Sequence, residues 1–328
     1  MILVMGVTGS GKSHFVNTLV GQSVVEEWKG IDSRKITDYG RIALTSPGTK
    51  SCTMVLASLN DRDSIAIVDT PGFDDSHRGD DEILDEIAQY LILQHQLGLR
   101  LKGIVYLHPI TQTRMTGHDR QYLEMFKRLC GEHTFQNIKL VTTMWDRIIP
   151  SEEGLAYSRD RDIRETCWNI MEERGSEIIS FDGSSEMAQT IIYGLASQQS
   201  VVLQIQSEMC QRGMTLENTL AGQLVVGQIE ADIRQDATDI EMAEQKINNA
   251  VARRDWDEAE KLKDEVRKKH DRKADKVKRR QRLSKCVKDE ADAKIEKDRR
   301  KFGVRDAVTV FIAVVSVTVN ILVHCVPL

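Results

Sequence analysis

The stretch that most constrains this chain is Gly6-Val7-Thr8-Gly9-Ser10-Gly11-Lys12-Ser13, which follows the apolar run Ile2-Leu3-Val4-Met5. Its glycines let the backbone curl so that successive N–H groups converge on one point. A buried strand before the loop and a helix after it, Ser13 to Val20, add the positive end of a helix dipole there. The expected ligand is a phosphate chain, with Lys12 reaching its terminal phosphates and the Ser13 hydroxyl binding Mg²⁺. The predicted cradle is Gly6, Thr8, Gly9, Ser10, Gly11, Lys12, Ser13 and His14. A glycine-rich turn without a ligand is the plainer reading, and the strand–loop–helix setting weighs against it.

Beyond the loop, strand-like and helix-like stretches alternate. Ser64 to Val68 reads as a second buried strand, and Asp81 to Gln96 has helical spacing at Ile83, Leu84, Ile87 and Leu91. Gly103 to Leu107, Ile138 to Thr142 and Glu177 to Phe181 are further short apolar runs, each followed by turn residues. This order predicts an α/β fold: a doubly wound, mainly parallel sheet whose ligand sits at the carboxyl ends of its strands.

A chain of 328 residues is long for one unit. Three parts are expected: 1–200, a helical arm over 201–303, and a hydrophobic tail over 304–328. Charge divides along the same line. Residues 1–200 carry 20 Lys/Arg against 28 Asp/Glu, a net of −8, while the rest carries 25 against 22, a net of +3. From Ile205 to Lys301 proline is nearly absent and Glu, Lys, Arg, Gln and Ala dominate. Ile233, Ala237, Ile240, Ile247 and Val251 fall on a heptad seam interrupted by Glu244 and Arg254, so a coiled coil, a helical hairpin and a solvated arm all remain open. The basic stretch Arg272 to Lys301 lacks interleaved aromatics, which favours anionic lipid or solvent over nucleic acid.

The twenty residues Ala307 to Val326 hold no Lys, Arg, Asp or Glu, and Arg299, Arg300, Lys301 and Arg305 precede them. That layout predicts a tail anchor, an apolar helix crossing an intracellular membrane with the bulk of the chain in the cytosol. A buried Val-rich strand or helix is the alternative. The six cysteines are scattered and form no Cys-x-x-Cys pair, which fits a reducing compartment. His77, His95, His108, His118 and His133 lack metal-ligand spacing. No basic leader precedes Met1 to Met5, so no secretory signal is expected.

Asp69-Thr70-Pro71-Gly72 ends the strand Ile65 to Val68, 57 residues past Lys12. It would set a carboxylate beside Mg²⁺ and the Gly72 N–H near a γ-phosphate, as in GTPases. Thr53 is the expected threonine closing on Mg²⁺, with Thr49 second, because a strand-like stretch from Met54 follows it directly. Catalytic roles therefore fall to Lys12, Thr53 and Gly72, and metal ligation to Ser13, Thr53 and Asp69. Leu140 to Asp146 ends another strand where GTPases read the base. Asp146 would accept from the guanine N1–H and amine, with Thr143 beside it and Met144 lying against the base or ribose. Asp182 and Gly183, after the last strand, would form a second base-contacting loop.

The set Gly-x-Thr-Gly-Ser-Gly-Lys-Ser, Ser-Cys-Thr, Asp-Thr-Pro-Gly-Phe-Asp-Asp, Tyr-Leu-His-Pro-Ile, Arg-Met and Thr-x-Met-Trp resembles fungal G-domain proteins. These are akin to the septin-like, immunity-associated and plastid-import-receptor GTPases. The resemblance covers about residues 1–200. It implies a Ras-like fold, GTP or GDP with Mg²⁺, dimerisation across the nucleotide face and frequent hydrophobic C-terminal anchors. Thr143 and Met144 depart from the Asn-Lys that such proteins carry. Phe73-Asp74-Asp75 stands where small GTPases place a water-orienting glutamine, so slow hydrolysis is expected, with Arg114 a candidate cation supplied by a second copy. A nucleotide-binding scaffold without turnover and an ATP-using enzyme are the competing readings.

Overall fold

The computed structural model describes residues 1–21, 23, 52–58, 64–73, 78–284, 289, 291–293, 295–296 and 324–327. The strands are β1 (Ile2–Gly6), β2 (Thr53–Ser58), β3 (Ser64–Asp69), β4 (Gly103–Pro109), β5 (Ile138–Thr143), β6 (Glu177–Ser180) and β7 (His324–Pro327). They form one sheet in the order β6-β5-β4-β1-β3-β2-β7. Only the β2–β3 pair is antiparallel among the described pairings. The predicted doubly wound, mainly parallel sheet is therefore present.

Both faces of the sheet are apolar, as a parallel sheet covered on two sides requires. Ile2, Val4, Val55, Ile67, Val105 and Leu107 pack under α1 (Lys12–Val20) and α6 (Ser185–Ala196). Leu3, Met5, Met54, Val68, Ile104, Tyr106 and Leu140 face the opposite layer. That layer contains α2 (Asp80–Gln96), α3 (Gly117–Cys130), α4 (Glu153–Ile163) and α5 (Asn169–Glu173), the last two joined by a π-helical turn over Arg164–Trp168. A capping box at Thr116 and Asp119 fixes the start of α3.

A single turn, α7 (Gln204–Gln206), leads to two long helices, α8 (Leu220–Ala252) and α9 (Trp256–Leu283). These fold back on each other as a hairpin. Asp239 meets Lys269 at 3.3 Å, Asp236 meets Lys276 at 2.6 Å and Glu230 meets Arg280 at 3.3 Å, a ladder that runs antiparallel. The hairpin reading thus holds over the solvated arm, since Ala221, Val225 and Ile229 also enter the core beside the sheet. Ile240, Ala243 and Ala250 form the buried seam, whereas Val251 is exposed. Arg254, with φ +61°, belongs to the turn between the helices.

The apolar tail departs from expectation at its end. His324–Pro327 is strand, paired parallel to β2 from Val55↔His324 to Ser58↔Pro327, so the last residues of the expected helix Ala307 to Val326 lie in the sheet. The cause is that β2 otherwise presents an open edge, and an extended Val-containing segment can satisfy its N–H and C=O groups. Residues 307–323 lie outside the described residues. Among the described residues no helix is long and apolar enough to cross a membrane.

Candidate functional site

The phosphate loop spans the gap between β1 and α1. Gly6, Gly9 and Gly11 have φ of +146°, +79° and +88°, and a side chain on Gly6 would collide with the Leu107 carbonyl. Gly11 also caps α1 without any side-chain cap, and the positive end of that helix's dipole faces the loop. Lys12 lies buried, its Nζ donating to the carbonyls of Val7 at 2.9 Å and Gly6 at 3.2 Å. Burial pushes its pKa down to about 8, against the nearby Asp69 charge that favours the ammonium.

The expected magnesium ligands converge. Ser13 Oγ donates to Asp69 Oδ2 at 2.6 Å. Thr53 is the cross-strand partner of Asp69, which sets the two side chains on one face about 5 Å apart. A hydroxyl, a carboxylate and a second hydroxyl beside a glycine loop fit a hard, oxygen-seeking cation. Gly72 packs so tightly on Thr8 that no side chain fits there, and the Thr8 N–H donates to Phe73 O at 2.7 Å. The turn after β3 is thereby welded to the phosphate loop. Phe73 itself is fully buried and stacked 6.0 Å from Tyr122. The segment Thr45 to Ser51, with Thr49, and the pair Asp74–Asp75 lie outside the described residues.

The base-reading loop is built less as expected. Thr143 is buried, and its hydroxyl donates to Ser10 O at 2.8 Å, so it braces the phosphate loop instead of presenting a free donor to a ligand. Met144 adopts the left-handed region, φ +65°, and brings its methyl group beside Gly11, as an apolar lid would. Asp146 is exposed at the carboxyl end of β5. Asp182 is exposed on the neighbouring strand end, where its carboxylate accepts from Ser184 N at 2.8 Å. Hydrogen bonds from the Ser184 hydroxyl and then from its backbone N–H lower the Asp182 pKa. Gly183 beside it has φ +84°. His14 is exposed and contacts Thr18, and Arg114 is exposed after β4.

Sequence reasoning missed the supports of this loop. Thr142 Oγ1 donates to Asp160 Oδ1 at 3.1 Å and receives the Trp145 indole N–H at 3.0 Å, while Arg164 holds the other oxygen of Asp160 at 2.6 Å. Asp160 stands on α4, eighteen residues past Thr142, and no local spacing announces it.

A strand, a glycine loop ending in Lys-Ser, a helix, and an Asp-x-x-Gly turn beside them define a P-loop protein with the strand order of a G domain. Residues 1–191 match the AIG1 family, and the chain belongs to it. No curated protein matches. Among solved structures, Toc33 from Arabidopsis thaliana in complex with Mg²⁺ and GMPPNP is similar at 17% identity, over 62% of this chain and 87% of that one, with a TM-score of 0.47. Era from Aquifex aeolicus bound to GDP·AlF4⁻ is similar at 16%, over 60% of this chain and 56% of that one, at 0.40.

Proposed function

We propose that this chain is a guanine-nucleotide-binding switch that takes GTP or GDP with Mg²⁺. The observation that carries the reading is the meeting of Ser13 and Asp69 at 2.6 Å at the mouth of the phosphate loop, with Thr53 paired opposite. When bound, the metal would neutralise the β- and γ-phosphates. The chain's own residues would do the rest: Lys12 turns from two carbonyls onto phosphate oxygens, the α1 N–H groups hold the anion, and Asp146 selects guanine.

Slow hydrolysis follows from Phe73, whose buried ring cannot orient a water molecule. A second copy docking across the nucleotide face, with Arg114 as the incoming cation, would raise the rate. The uncharged run from Ala307 supports a tether at an intracellular membrane, a state in which His324–Pro327 would leave the edge of β2. The test is calorimetry with GTP and ATP, then phosphate release over a wide range of concentrations of full-length protein. Selective GTP binding and a rate per molecule that climbs with concentration are expected. Equal ATP binding would sink the guanine assignment, and a flat rate while sedimentation shows dimers would sink activation by a second copy.

A further inference from the structure

Helix α2 begins a few residues past the Asp69–Gly72 turn, and its second turn carries Glu86. One oxygen of that carboxylate accepts from the backbone N–H of Cys52 at 3.1 Å, immediately before Thr53. The other accepts from Arg78 Nη2 at 2.7 Å, on the approach to α2. Glu86 is mostly buried, its side chain 15% exposed, so both contacts gain from a reduced dielectric. One carboxylate therefore holds the chain entering β2 and the chain leaving the Asp69–Gly72 turn. These two segments flank the place where a γ-phosphate would lie.

A clamp of this kind needs a fixed base, and α2 has one. Ile83, Leu84, Ile87, Ala88 and Leu91 are buried against the sheet. At its start, Tyr122 donates to Asp80 at 2.9 Å, and Arg279 and Arg282 of α9 hold the buried Asp81 at 2.6 and 3.6 Å. Arg282 also meets Glu82 at 2.7 Å.

We propose that Glu86 is a positioning residue for triphosphate recognition, tying Cys52, which precedes Thr53, to Arg78 at the approach to α2 so that Thr53 and Gly72 are held together for the γ-phosphate. It touches neither metal nor nucleotide, and it acts through the backbone of Cys52 and the side chain of Arg78. This inference rests on the guanine-nucleotide reading. A diphosphate leaves the two segments without a shared ligand, so loss of the clamp weakens triphosphate binding selectively.

The experiment compares full-length wild type, Glu86→Ala, Glu86→Gln and Arg78→Ala in affinity for GDP and for a non-hydrolysable GTP analogue, both with saturating Mg²⁺. Expected for Glu86→Ala is a five- to thirty-fold loss for the analogue and less than a two-fold change for GDP. Glu86→Gln keeps an acceptor for Cys52 but loses the charge facing Arg78, so it should fall between. Arg78→Ala on the Glu86→Ala background should add little. Equal losses for both nucleotides would reduce Glu86 to a structural residue and overturn the proposal, as would an unchanged ratio. If wild type binds neither nucleotide, the functional reading itself fails, an outcome separate from these.

Discussion

Replacing Lys12 with methionine should abolish nucleotide binding and yet make the nucleotide-free protein more stable. The burial that pushes Lys12 from 10.5 to about 8 represents about 3 kcal/mol spent keeping the ammonium charged at neutral pH, at about 1.4 kcal/mol per unit. Methionine retains the unbranched stem and removes the charge. Losing the donor to Gly6 O and Val7 O returns up to about 1 kcal/mol for each bond. A net gain of about 1–2 kcal/mol remains, or roughly 2–6 °C in Tm.

Proton linkage supplies the signature. Between about pH 8 and 10.5 the unfolded wild type binds the Lys12 proton and the folded form does not, so wild-type stability rises through that window relative to the variant. The advantage of Lys12→Met is therefore full below pH 8 and closes as pH climbs to 10.5. Cys52 and Cys130, pushed well up by burial, tilt both profiles the opposite way and cancel in the difference. Urea unfolding in EDTA at several pH values measures it, with calorimetry for nucleotide. A variant less stable than wild type at pH 7, or a difference flat from pH 7 to 11, would refute the reasoning.

Three further outcomes are expected. Asp146→Asn should weaken GTP by at least ten-fold and favour xanthine nucleotides, whose 2-oxo group accepts where guanine donates; competition binding reads this directly. Arg279→Ala with Arg282→Ala strands the Asp81 carboxylate, which is 1% exposed, and should cost about 2–3 kcal/mol. That is the low side for a broken buried pair because both guanidiniums are partly exposed. Adding Asp81→Asn should recover part of the loss, and hydrogen exchange should show α9 opening first. Truncation after residue 303 should move the protein from membrane pellet to supernatant after lysis, and a full-length chain already in the supernatant without detergent would remove the tether.

What could be read directly was set by short-range chemistry. Gly6, Gly9 and Gly11 mark a loop because positive φ is costly for other residues, and Ser13 and Asp69 converge because parallel strands of one sheet end side by side. The long helices were visible as composition and periodicity, but neither their folding back as a hairpin nor their register was. Ala243 and Ala250 are buried, each one residue before the expected seam positions Glu244 and Val251, because the face turned to α9 is set by how the two helices pack. Thr143 turned out to brace Ser10 because that depends on how closely β5 approaches the phosphate loop, a distance set by packing. The pairing of β7 with β2, the grip of Arg279 on Asp81 across 198 positions, and the bridge from Glu86 to Cys52 were likewise decided by the tertiary structure. Each joins groups that carry no mark of one another along the chain. The packing of α2 on α9 and the sheet brings the last two within a hydrogen bond, and the open edge of β2 receives β7.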